Sequence, residues 1–125
     1  MSKLFRETTS PKIGKLAERN ARQFLESQGL VFIAENIRYK FGEIDLIMCE
    51  QNKIIFVEVK YRRSERFGGP VFALSKAQSQ RLMKAAQKWL QQYDPNNQFS
   101  CRFDMVALSG NLSSIKQQWI KNIFQ

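Results

Sequence analysis

Apolar residues recur along this chain with two alternating periods. From residue 14 to 28, Leu16, Ala17, Ala21, Phe24 and Leu25 fall on one stripe of a 3.6-residue helix, and Gly29 supplies its stop. Val31 to Arg38 then reads as a strand, and Tyr39-Lys40-Phe41-Gly42 as a turn. Two runs rich in Ile, Val and Phe follow, one through Cys49 and one from Ile54 to Lys60, on either side of the polar Glu50-Gln51-Asn52-Lys53. That pattern predicts a β-hairpin. A basic, glycine-containing loop runs from Tyr61 to Pro70. Ser75 to Tyr93 is the longest predicted helix: Ser75 and Gln78 form a capping box, and Leu82, Ala85, Ala86, Trp89, Leu90 and Tyr93 make its apolar stripe. Asp94-Pro95-Asn96-Asn97 closes it as a turn. Phe99 to Leu108 is a further strand, and Ser109-Gly110-Asn111 a turn. Ser114 to Phe124 reads best as a final strand, although Ile115, Trp119, Ile120 and Ile123 also satisfy helical spacing.

The order α-β-β-β-α-β-β predicts the α/β class: a single domain with a mixed central sheet flanked by helices. The expected domain is 13–125, preceded by a basic flexible arm, 1–12, that carries Lys3, Arg6, Lys12 and Pro11.

Composition narrows the chemistry. The 125 residues hold 20 Lys+Arg against 11 Asp+Glu, a net charge of +9, which points to a polyanionic partner, most often nucleic acid. With no histidine, His-based acid–base chemistry and His metal ligation are excluded. Cys49 and Cys101 fall in predicted strands and read as buried small apolar residues of a reduced, cytoplasmic protein. No signal peptide and no membrane-spanning apolar run is expected, hence no membrane partner.

Against this background two predicted strands carry carboxylates where core residues belong. In Gly42-Glu43-Ile44-Asp45-Leu46-Ile47, alternation puts Glu43, Asp45 and Ile47 on one face; in Phe56-Val57-Glu58-Val59-Lys60, it puts Phe56, Glu58 and Lys60 on one face. A two-residue loop at Gln51-Asn52 sets Asp45 opposite Glu58 and Glu43 opposite Lys60. Like charges so opposed are destabilising, and the apolar reverse faces (Ile44, Leu46, Met48; Ile55, Val57, Val59) predict a covered sheet. Two half-buried carboxylates must share a proton, raise a pKa or hold a cation, and an all-oxygen pair suits Mg²⁺ or Mn²⁺. The alternative is an exposed strand edge or pairing with the many Arg and Lys residues.

Asp45 with Glu58-Val59-Lys60 resembles the signature of the PD-(D/E)XK nuclease superfamily: an acid, a hairpin, then Asp/Glu-X-Lys. More closely, the chain resembles the YraN-like family of small bacterial proteins. The matching segments are Gly14-Lys15-Leu16-Ala17-Glu18, Gly42 to Ile47, Phe56 to Arg62, Arg102-Phe103-Asp104 and Ile120 to Phe124. The resemblance implies a restriction-endonuclease-like fold similar to that of archaeal Holliday junction resolvases. It implies Asp45 and Glu58 as metal ligands, Lys60 as the catalytic lysine, Glu18 on the first helix as a further carboxylate, and Mg²⁺ or Mn²⁺ as cofactor. The chain departs from the family pattern at Lys15 and Gln78, both outside the implied ligand set.

Arg62, Arg63 and Arg66 in the basic loop, and Lys84 and Lys88 one turn apart on the long helix, are candidate nucleic-acid contacts. Asp104 and Arg102 share a strand face, and a structural pair is the better reading. Together these features predict a metal-dependent endonuclease acting on DNA, including branched DNA. Junction resolvases work as symmetric dimers, so a homodimer is the assembly that the resemblance implies. A non-catalytic nucleic-acid-binding module that keeps the fold is the alternative. A weaker third reading is a partner-binding protein whose carboxylate pair serves structure.

Overall fold

Among the described residues, two helices and five strands follow one another as the apolar periods predict: α1 (Pro11–Ser27), β1 (Val31–Tyr39), β2 (Gly42–Glu50), β3 (Lys53–Arg62), α2 (Lys76–Tyr93), β4 (Ser100–Ser109) and β5 (Lys116–Ile120). The computed structural model describes residues 11–63, 74–111 and 113–124. Most of the expected arm, the glycine-containing part of the basic loop and Arg66 lie outside the described residues.

The helices start and stop for local reasons. Pro11 opens α1, three residues earlier than the apolar stripe indicates, at a position where its missing N–H leaves no bond unmade. Gly29, at φ 97°, ends it: Leu30 N–H donates to Leu25 C=O at 3.1 Å and Gly29 N–H to Glu26 C=O at 3.0 Å, the paired bonds of a Schellman stop. The predicted capping box on α2 is present, with Gln78 N–H donating to Ser75 Oγ at 3.0 Å and Ser75 N–H to Gln78 Oε1 at 2.9 Å.

The sheet runs β1-β2-β3-β4-β5. All neighbours are antiparallel except β3 and β4, which are parallel and joined by the α2 crossover. This is the α/β architecture with a mixed sheet that the element order predicts. Each face carries one helix. Ala17, Ala21 and Leu25 of α1 pack on Leu46, Met48, Ile55, Val57, Val106 and Leu108. Leu82, Ala85, Ala86 and Trp89 of α2 pack on Ile44, Ile47, Ile54 and Phe56 on the other face. Phe56 is fully buried, edge-on to Trp89 and stacked with Phe103, so truncating it to alanine removes about 3–5 kcal/mol of packing.

Three expectations need correction. The last strand is limited to Lys116–Ile120, because Asn122 turns left-handed (φ 61°) and gives its N–H to Asp104; the helical alternative for this segment is not adopted. Cys101 is exposed at the open start of β4, and Cys49 is half-buried; both are free thiols. Ile44 packs with Ile47 rather than with Leu46 and Met48, so the strict alternation expected along β2 breaks at Asp45. Among the described residues no helix is long and apolar enough to cross a membrane.

Candidate functional site

The hairpin register explains where the carboxylates go. From Glu50–Lys53 to Leu46–Val57 the pairing is the one that a Gln51-Asn52 loop dictates, but the ladder stops there. Beyond it Asp45 does not take a place in the β2–β3 ladder. Its Oδ2 accepts the Val59 backbone N–H at 2.8 Å, a side chain standing in for the missing strand partner. The same break shows on the β1 side, where pairing skips from Glu35–Leu46 to Ile37–Ile44. Asn36, opposite the gap, adopts φ 54°, a conformation that Asn tolerates better than most residues.

At this opening the expected residues converge. The Asp45 and Glu58 carboxyl groups act on each other's ionisation, and Lys60 Nζ lies 3.7 Å from Glu58 Oε2. Burial first raises both pKa values above the usual carboxylate range; the charge of Asp45 adds to the rise at Glu58 and that of Glu43 to the rise at Asp45, while Lys60 pulls both the other way and the Val59 N–H lowers Asp45. Glu18, on α1, faces the same cluster. Burial and the charge of Asp45 push its pKa from 4.5 to about 7, opposed by a hydrogen bond from the Asn36 side chain and by Arg38. The expected Glu43–Lys60 pairing is not made. With the ladder ended, Glu43 turns to Arg38 at 3.8 Å and Lys60 to Glu58.

A cleft of about 370 Å³ opens beside Glu18, lined also by Lys15, Arg19, Arg22, Glu35 and Asn36. Lys15 and Arg19 make no ion pair with a described residue. Arg22 holds Glu26 at 3.3 Å and lies 3.6 Å over the Phe32 ring. The sequence reading passed over this row of cations. The spacing of Lys15, Glu18, Arg19 and Arg22 on one helix face is the signal that would have found it. No local signal marks Asn36, whose role depends on the break in β2.

Other expected contacts lie apart. Arg62 and Arg63 are exposed at and just past the end of β3. Lys84 and Lys88 line a separate groove on α2 with Phe41, Gln87 and Gln91. Asp104 is structural, as its pairing with Arg102 foretold. Fully buried, it accepts Arg102 Nε and Nη2 at 2.8 Å each, Trp119 Nε1 at 2.9 Å and Asn122 N–H at 3.0 Å.

The donor set at the opening suits a small, hard cation. Among the described residues no three acidic or cysteine side chains form a metal cage. Mg²⁺, however, is ordinarily held by one or two carboxylates, with water and substrate phosphate completing its shell. Asp45 and Glu58 meet that requirement.

A family model described as "Uncharacterised protein family UPF0102" matches residues 17–108. The chain belongs to the UPF0102 family. It is 44% identical over 114 residues to a UPF0102 protein of Coxiella burnetii, covering 91% of this chain and 92% of the relative. A UPF0102 protein of Shewanella frigidimarina is 47% identical over 111 residues (89% and 97%), and one of Klebsiella pneumoniae 46% over 116 (92% and 88%). The resemblance to the YraN-like family is borne out by these matches. The UPF0102 match runs from Ala17 to Leu108 and so contains Glu18, Asn36, Asp45, Glu58 and Lys60.

Proposed function

We propose that this UPF0102 protein is a metal-dependent endonuclease that hydrolyses phosphodiester bonds in DNA. The observation that carries the reading is the buried Asp45–Glu58 carboxyl pair at a break in the sheet, with Lys60 3.7 Å from Glu58. A purely structural pair would be satisfied as Asp104 is, by several donors; this one is left short of positive charge. The PD-(D/E)XK resemblance of the same residues supports the reading.

Asp45 and Glu58 would hold Mg²⁺ or Mn²⁺, with Asp45 oriented by the Val59 N–H. Such an ion, when bound, supplies a Lewis acid that lowers the pKa of a water and offsets charge on phosphate. Lys60 holds the reacting water or a non-bridging phosphate oxygen near Glu58. Glu18, fixed by Asn36, orients water at the edge of the cluster. Lys15 and Arg19 meet phosphates of the strand that lies in the α1 cleft. In the reaction, water oxygen bonds to phosphorus and gives up a proton to solvent as the opposite bond to the sugar oxygen breaks, and the leaving oxygen takes up a proton from solvent.

A second reading, a binding module without catalysis, is favoured by one observation: Lys84 and Lys88 line a groove apart from the carboxylates. Cleavage of a four-way junction, a flap, a single strand and a linear duplex with Mg²⁺ or Mn²⁺ separates the two. Cutting that requires both the ion and Asp45 is the expected result. Tight binding without cutting on every substrate supports the module instead.

A further inference from the structure

The turn between β1 and β2 is built to hold an aromatic ring at the surface. Gly42 presses so closely on α2 that a Cβ there would overlap the Arg81 carbonyl oxygen, so the turn is clamped to the helix. Tyr39 is anchored by its hydroxyl, which donates to Gln92 Oε1 at 2.9 Å. Phe41 lies parallel to Tyr39, with centroids 5.6 Å apart and planes 8° apart. One face of the Phe41 ring is thus backed by Tyr39, and the residue stays 42% exposed. A core phenylalanine would be buried; this one is fixed in place and left open.

What surrounds it is cationic and amide-bearing. Lys84, Gln87, Lys88 and Gln91 of α2 complete a groove of about 370 Å³, with no acidic residue in its lining. Neither lysine forms an ion pair with a described residue. An exposed aromatic face beside two ammonium groups that pair with no described residue fits a ligand that is both planar and anionic, repeated along a chain. A duplex presents phosphates but keeps its bases stacked inside.

We infer that this groove binds an unpaired, single-stranded stretch of nucleic acid, one base stacking on Phe41 while neighbouring phosphates meet Lys84 and Lys88. The inference rests on the nucleic-acid part of the proposed function and deepens it, without needing catalysis.

The test is fluorescence anisotropy of the full chain, in the Asp45→Asn background without divalent ions, with a labelled 15-nucleotide single strand and a labelled blunt duplex. Phe41→Ala should weaken single-strand binding about 10-fold and duplex binding less than 2-fold, the size expected for one lost stacking contact. Phe41→Trp should restore binding. Lys84→Ala with Lys88→Ala should lower the slope of log K against log salt on the single strand by about 1.4, whereas Phe41→Ala leaves that slope unchanged. Equal losses on both probes, no loss with Phe41→Ala, or no single-strand binding at all would overturn the inference; a groove for an acidic protein partner would give one of these. Metal-dependent cutting by the unmodified chain is scored separately. Cutting without any Phe41 effect removes this inference and leaves the nuclease, while Phe41-dependent binding without cutting does the reverse.

Discussion

Asp104 and Asp45 show how two strands of one sheet make opposite use of the same residue type. Asp104 is fully buried and accepts four hydrogen bonds, two of them from the Arg102 guanidinium. Asp104→Asn leaves that arginine without its carboxylate and should cost about 3 kcal/mol, read as a lower denaturation midpoint with an unchanged m-value. Glu58 stands in the reverse situation. Its charge is opposed by burial and by Asp45, so Glu58→Gln should leave the metal-free protein at least as stable at pH 7.5, while abolishing both cleavage and thermal stabilisation by Mg²⁺. A clear loss of stability in Glu58→Gln would mark the pair as structural. The pH dependence has a definite sign. Glu18, Asp45 and Glu58 all have raised pKa values, so the folded state holds their protons more tightly than the unfolded state does. Their contribution is present below the unfolded value near 4.5 and is lost as pH rises through about 7 and the pair's own raised values. Without divalent ions the denaturation midpoint should therefore fall between pH 5 and 8, and Mg²⁺ should recover it mainly at the upper end of that window. A midpoint that climbs over the same range contradicts the site.

At the scale of elements, apolar period and cap chemistry carried most of the fold. The 3.6-residue stripes located both helices, Ser75 and Gln78 located the start of α2, and the Gln51-Asn52 loop located the register of the hairpin. What the pattern did not reveal is where a strand departs from its own period. A bulge near Ile33, the left-handed Asn36 and the end of the β2–β3 ladder at Leu46 are consequences of packing between elements. They decide the site, because the alternation rule alone sets Glu43 against Lys60, whereas the broken strand turns Asp45 toward Val59 N–H and toward Glu18. Asp45, Glu58 and Lys60 were legible because charged residues inside Ile- and Val-rich runs violate the local rule, whereas Glu18, on a helix, was indicated by the family resemblance alone. Asn36 was not, since an asparagine in a strand of mixed polarity violates nothing. Gly42 belongs to the same scale. Its missing Cβ lets β2 meet the Arg81 backbone, so Gly42→Ala should cost about 1–3 kcal/mol, as overpacking does, in chemical denaturation. An unchanged midpoint would show that the turn is not clamped on α2.

For the molecule as a whole, the proposed function asks how a cluster of carboxylates would come to meet a polyanion. Three acids at one opening repel phosphate, and the net charge of +9 has to overcome them. Lys60 sits in the cluster itself, the α1 cleft beside Glu18 adds Lys15, Arg19 and Arg22, and the Arg62–Arg63 pair at the end of β3 and the Lys84–Lys88 pair on α2 lie elsewhere. Under the proposed function this arrangement would separate attraction from chemistry: the positive rows would set affinity and its salt dependence, and the acids would act only on a strand already held. Substitutions should divide accordingly. Lys15→Ala with Arg19→Ala should lower the slope of log K against log salt by about 1.4–1.8, the release of counterions from two phosphates, and should weaken binding to every DNA probe alike. Asp45→Asn removes a repulsive charge without touching a phosphate contact. Affinity should therefore rise in that variant with the salt slope unchanged, in the same titration series. Were the α1 pair to leave the slope unaltered while Asp45→Asn changed it, the strand would have to approach from a face of the sheet other than the α1 cleft.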